Sequence, residues 1–159
     1  MARKYYAFGG VVSPATPTDF AIINGDNNRL VRVTKVLFSS LQTTAGQNLF
    51  FVAKRSTANT GGTSSVLSAV PADSQSIPAA AVVQRYTANP TTGNLVGFIW
   101  RAYSSTPAVA SVVDNRPLIV DFGDGIPLRN ASEGLALHFG GAALPAGFTL
   151  AVGFEWTEE

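Results

Sequence analysis

Short stretches in which apolar residues recur at every second position dominate this chain, and they decide what it can fold into. Over 148–156 (FTLAVGFEW), Leu150, Val152, Phe154 and Trp156 alternate with Ala151, Gly153 and Glu155. In LALHF, 135–139, Leu135, Leu137 and Phe139 share one parity and Ala136 and His138 the other. A period of two is a strand signal, because successive side chains of a strand point to opposite faces. These seven residues of the first parities are therefore expected in the core, where burying each such side chain is worth about 1.5–3 kcal/mol.

Further strands are expected at 5–12, 20–23, 29–41, 48–55, 81–87, 95–103 and 117–122. Between them lie turn signals: NGDNN at 24–28, TTAGQ at 43–47, STANTGGTSS at 56–65, ANPTTGN at 88–94, GDGIPLRNASEG at 123–134 and GGAALPAG at 140–147. Residues 66–80 have room for one short edge strand before Pro71, and 108–113 for another inside a loop. Only 78–86 competes as a helix, and it contains Val82, Val83 and Tyr86. In RLVRVTKVLFSSL, 29–41, Leu30, Val36 and Phe38 share one parity but Val31, Val33 and Leu37 the other. That predicts a strand buried on both faces. Short strands without interleaved helices predict an all-β fold, a jelly-roll-like two-sheet sandwich of about eight strands. An immunoglobulin-like sandwich is the competing layout. Residues 1–20 are expected to form an N-terminal strand or arm with a Pro/Thr connector, and 21–159 a single sandwich domain.

Composition narrows the function classes. Charged residues make up 13% of the chain, against the usual roughly 25%, while 46% is apolar, which argues against disorder. The net charge is +1 and the densest basic spots are Arg3–Lys4 and Lys54–Arg55, so direct nucleic-acid binding is not expected. No run of about 18 apolar residues exists to form a membrane-spanning helix. The start, MARKYYAFGG, reads as mature protein rather than a signal peptide. With no cysteine, disulfides and thiolate metal sites are excluded.

Signals for chemistry are sparse. His138 is the only histidine, so a histidine metal cluster within one chain is excluded. A catalytic base needs an orienting acid and a nucleophile. Glu133 is near in sequence, but no Gly-x-Ser-x-Gly elbow is present. DFGDG, 121–125, makes Asp121 and Asp124 weak candidates for a hard cation, although the further acids of an EF-hand loop are missing. The alternative is that these carboxylates cap the turn through backbone amides. The glycines at 8–10, 59–62 and 139–141 lack the helix or the lysine of a phosphate cradle. Asn130-Ala131-Ser132 matches the glycosylation pattern incidentally. Tyr5, Tyr6, Phe8, Tyr86, Phe98, Trp100 and Tyr103 could form a sugar platform or pack as core and interface. No cofactor and no catalytic residue are expected; the chain reads as non-enzymatic.

Several phrases occur together: FFVAKRSTANTGGTSS (50–65), AVPADS (69–74), AAVVQRYTANPTTGNLVG (80–97), LIVDFGDGIPLRNASEGLALHFGG (118–141) and FEWTEE (154–159). As a set they resemble a family of small proteins encoded in tailed-phage and prophage genomes, over roughly residues 48–159. The nearest assigned class is the capsid decoration, or cement, proteins. That resemblance implies a jelly-roll-like β fold on the outer surface of the virion head, made in the host cytoplasm. It implies homodimers or homotrimers that clamp neighbouring major capsid proteins. The alternatives are a tail or baseplate component, or a carbohydrate or host-surface binding module. Arg3, Lys4, Tyr5, Tyr6, Phe8, Lys54, Arg55, Arg85 and Arg101 are the expected capsid or subunit contacts, since interfaces enrich arginine and aromatics. Segments 1–20 and 56–74, low in charge and rich in hydroxyls, are the expected arms.

Overall fold

A computed structural model describes residues 1–12, 18–41, 46–106, 117–140 and 149–159. These form eleven strands and no helix: β1 (Arg3–Val12), β2 (Thr18–Asn24), β3 (Val31–Leu41), β4 (Gly46–Arg55), β5 (Thr63–Leu67), β6 (Val70–Pro71), β7 (Val82–Ala88), β8 (Leu95–Thr106), β9 (Leu118–Leu128), β10 (Gly134–Phe139) and β11 (Thr149–Glu158). The helix candidate at 78–86 is thus strand β7 from Val82 onward. The strand considered at 108–113 lies outside the described residues.

One sheet has the order β6-β1-β11-β3-β9, the other β5-β7-β2-β10-β4-β8. Without β5, β6 and β7, the eight remaining strands count 1-8-3-6 in one sheet and 2-7-4-5 in the other. That order is the double Greek key of a jelly roll, and it excludes the immunoglobulin layout. The three extra strands are one insertion between β4 and β8. They widen both sheets on the same flank, β6 beside β1 and β5-β7 beside β2.

The inner faces supply the core. Tyr5, Ala7, Val31, Val33, Val36, Phe38, Leu150, Val152, Phe154 and Trp156 come from the first sheet. Phe20, Ile23, Phe50, Val52, Leu135, Leu137 and Phe139 face them from the second. All seven residues expected in the core are buried. Rings interlock across the gap: Phe38 lies 4.9 Å from Phe50 and 5.9 Å from Trp100 between centroids, while Phe50 and Phe139 meet at 5.8 Å within the six-stranded sheet.

The broken alternation in β3 has a different cause from the expected double burial. Glu155 pairs with Lys35 and Trp156 with Val33, so Thr34 is an extra residue, a bulge. A bulge shifts the parity of everything beyond it. Val31 and Val33 before it and Val36 and Phe38 after it therefore all point inward. Opposite the same point, β9 runs from Asp121 to Ile126 while β3 advances only from Lys35 to Val33. The surplus Phe122–Gly125 stretch turns on Gly123 (φ 56°) and Gly125 (φ 86°), a conformation open to glycine and costly to other residues. DFGDG is thus a kink within one long strand, not the end of a short one.

β1 is also not a free arm. It lies between β11 and β6, with Tyr5 and Ala7 fully buried, and the Tyr5 ring stacks on Trp156 at 5.8 Å.

Candidate functional site

Among the described residues, three places concentrate polar chemistry or unpartnered apolar surface. The first is a buried cluster on the outer face of the six-stranded sheet. Leu137 pairs with Ala21 but His138 pairs with Asp19, so Phe20 is the extra residue of a bulge in β2. The bulge sets Asp19 directly beside His138. Asp19 Oδ1 lies 2.8 Å from His138 Nδ1. Arg55, from β4, grips the same carboxylate through Nε (3.1 Å) and an Nη (2.7 Å), and Asn59 Nδ2 donates to Oδ2 at 3.0 Å. Burial works against the charged carboxylate, but the bonds from His138, Arg55 and Asn59 outweigh it and hold Asp19 below the ordinary carboxylate range.

Two loops cover this cluster. Thr60 and Thr91 exchange backbone hydrogen bonds of 2.9 and 2.8 Å, and Ser56 N donates to Asn94 O. Gly93 N donates to Asn59 Oδ1 at 2.8 Å, and the other Arg55 Nη donates to Gly93 O at 3.1 Å. Residue 93 must be glycine, because a Cβ there would sit 1.9 Å from the Thr57 carbonyl oxygen. The phrases STANTGG and TANPTTGN, separate in the sequence, thus form one flap fastened by Arg55. Beneath it Ile22, Ala53, Tyr86 and Ala136 make a second apolar cluster, which is why Ala136 is buried despite its outward parity. Burial raises the Tyr86 phenol pKa.

Chemically the cluster is a fastener. A carboxylate only accepts, so Nδ1 of His138 carries the shared proton. Asp19 and His138 have the geometry of a base and its orienting acid. Among the described residues, however, no hydroxyl is hydrogen-bonded to the ring. Its neighbours are Asp19, Arg55 and the rings of Phe51 and Phe98, at 5.9 and 5.7 Å. The orienting acid is Asp19, 119 residues away, and not Glu133. Glu133 instead pairs with Lys54 at 3.3 Å.

The second place is the outer face of the five-stranded sheet. Register aligns Phe8, Gly153, Leu37 and Ile119 in one row across four strands, and Tyr6, Glu155, Lys35 and Asp121 in the next. The second row is an ion ladder. Glu155 meets Lys4 at 2.9 Å and Lys35 at 3.7 Å, and Lys35 meets Asp121 at 3.6 Å. Burial opposes its charge, but Lys4 and Thr34, with Lys35, keep Glu155 low; the bond to Glu155 raises Lys4. In the first row the bare Gly153 lets Phe8 lean across β11. A shallow, mostly apolar pocket of about 190 Å³ opens there between Phe8, Leu37, Pro117 and Gly153. The third place is β8, where Leu95, Val96, Phe98 and Ile99 are all exposed.

The expected contact residues divide accordingly. Arg3, Phe8 and Arg101 are exposed, and Lys4 and Tyr6 are half-buried, with Tyr6 stacked on Phe8 at 5.9 Å. Tyr5 and Arg55 are buried and are not surface contacts: Tyr5 fills the core and bonds Ile77 O, and Arg55 neutralises Asp19. Lys54 donates to the Pro127 carbonyl, and Arg85 Nε to Ser65 Oγ at 2.7 Å. Of the sugar-platform candidates, Tyr5 and Tyr86 are buried. Asp121 caps its own turn by accepting from Gly123 N at 2.8 Å, while Asp124 is exposed. Among the described residues no three acidic or histidine side chains converge as a metal site.

One element had no sequence signal. By residue type Glu158 looks like a solvated charge, yet it is 2% exposed. Its carboxylate accepts from Ala80 N and Ala81 N (3.0 Å each), Trp156 Nε1 (3.0 Å) and Arg29 (2.9 Å). Burial pushes its pKa up, but these donors, Ala81 and Trp156 foremost, bring it below the ordinary value of 4.5.

No family model matches the chain, and no match was found among curated proteins or among solved structures.

Proposed function

We propose that this chain is a non-enzymatic structural protein that decorates and stabilises a tailed-phage capsid by bridging major capsid proteins on the outer head surface. The observation that carries the reading is how the molecule disposes of its polar and apolar groups. Among the described residues the buried charges, Asp19, Arg55, Glu155 and Glu158, are bonded to the chain's own groups. Large apolar side chains stand outside on β8 and at Phe8 and Ile119. Surface of that kind suits contact with other proteins. Many copies bound weakly on one particle become firm through multivalency. The phrases that carry the resemblance build the flap and β9–β11, so the resemblance concerns the framework of this jelly roll.

The test is co-sedimentation of the purified protein with capsids that lack it. Saturation at an integer number of copies per capsomer is the expected result. No pelleting at micromolar protein would overturn the reading and turn attention to the tail or baseplate. The stacked Tyr6–Phe8 pair beside the outer pocket favours a second reading, a carbohydrate-binding module. Saturable glycan binding lost in Tyr6→Ala would support it.

A further inference from the structure

Four strands stand at sheet edges among the described residues: β6, β9, β5 and β8. Proteins protect such edges with shortness, charge, proline or bulges. β6 has two residues, one of them Pro71. β5 has five and opens with Thr63, Ser64 and Ser65. β9 is preceded by Pro117 and carries Asp121, Asp124 and Pro127 around its glycine kink. β8 differs. It runs twelve residues with no proline and no acid, and Arg101 is its only charge. Its ladder with β4 skips Ile99 and Val96, two bulges. A bulge leaves its extra residue unpaired. Val96 is 64% exposed and Ile99 43%, beside Leu95 at 46% and Phe98 at 47%. Between them Gly97 has open space where a side chain would be, leaving the backbone open to close approach.

We propose that the Leu95–Ile99 stretch of β8 is a two-fold self-association surface whose partner is the same stretch of a second copy. The patch has no charge of its own, so two copies meet without repulsion. With the axis beside Phe98 and Ile99, each Arg101 falls opposite Leu95–Val96 of the other copy. The two arginines are then about five residues, or roughly 17 Å, apart along the strand, beyond the screening length at physiological salt. The other long edge, β9, is blocked by its prolines, acids and kink, so a head-to-tail β8–β9 contact is disfavoured. At their fractional exposures the four residues leave roughly 350 Å² accessible, backbone included, which an isologous contact uses twice, for roughly 700 Å² in all. A standard stable interface buries about 1,600 Å². The dimer is therefore weak, with a dissociation constant on the order of 10–100 µM.

Sedimentation velocity from about 1 to 200 µM tests this. The expected result is a reversible monomer–dimer equilibrium. Val96→Lys with Ile99→Lys should weaken it at least tenfold with an unchanged far-ultraviolet spectrum, and Ile119→Lys on the other sheet should not. The chain has no cysteine, so Ile99→Cys supplies a clean second readout. It should give disulfide-linked dimers on mild oxidation, as twins near a two-fold lie within bridging reach. A monomer throughout the range, or a dimer indifferent to both lysines and not trapped by Ile99→Cys, would overturn the proposal. The proposal stands apart from the capsid reading: a monomer that still pellets with capsids sinks the dimer alone, and a dimer that does not pellet sinks decoration alone.

Discussion

Replacing Glu158 tests how the last strand is held. The carboxylate is buried and receives two backbone N–H groups and the Trp156 indole, with Arg29 at its outer side. Glu158→Ala leaves the Ala81 amide and the indole N–H without partners in a dry site. Each unsatisfied buried donor costs about 1–3 kcal/mol, so the loss should be about 3–5 kcal/mol. For a chain of this length, that lowers the melting temperature by on the order of 10 °C. Glu158→Gln keeps the shape but turns an amide NH₂ toward donors, and should cost about 2 kcal/mol. Thermal and urea unfolding give both numbers. The pH dependence adds a signature. The folded pKa lies below the ordinary 4.5, so this group's contribution is fully present above about that pH. It is lost as pH falls through the folded value. The gap between wild type and Glu158→Gln should therefore be constant from neutrality to about pH 5 and narrow below pH 4. A Gln variant within 0.5 kcal/mol of wild type, or a gap that widens in acid, would refute the reasoning.

Three other outcomes follow from the same geometry. Arg55→Met leaves the Asp19 carboxylate buried with a histidine and an amide as its remaining side-chain partners, and should destabilise by about 3–5 kcal/mol, read by chemical denaturation. Gly93→Ala drives a methyl into the Thr57 carbonyl and should open the flap, seen as faster hydrogen exchange at Thr60 and Thr91 with β11 still protected. Deleting residues 1–12 removes an interior strand and exposes Trp156, so it should unfold the domain rather than produce a folded protein without an arm; a cooperative melt in the truncated chain would contradict this.

What could be read in the sequence was set by where the ladders are regular. In β10 and the inner stripe of β11 the period of two maps directly onto one face, and Leu135, Leu137, Leu150 and Phe154 are where alternation puts them. In β3 one extra residue, Thr34, reverses the parity, and the pattern looks two-sided when it is one-sided with a step. A bulge has no composition of its own, so only the partner strand reveals it. The Asp19–His138 pair depends on another such step, at Phe20, between residues 119 apart. Arg55 and Glu158 look like surface charges by residue type, since ionised side chains are rarely buried. Their burial becomes legible only when Asp19 and the Ala80–Ala81 amides are known to lie opposite them.

The pairing of β1 with β11 carries a consequence for the making of the molecule. Arg3 lies opposite Glu158 and Tyr5 opposite Trp156, so the earliest of these eleven strands in the chain is hydrogen-bonded to the latest. At about 5–20 residues per second, β1 waits on the order of ten seconds for its partner. Throughout that interval β3 also lacks the neighbour that separates it from β1. Closure of this sheet waits for β11 and is governed by the slow kinetics of distant strand pairing. Joining the two ends and opening the chain at the β4–β5 loop would make β11 and β1 neighbours in sequence, and should speed folding while leaving the finished sandwich the same.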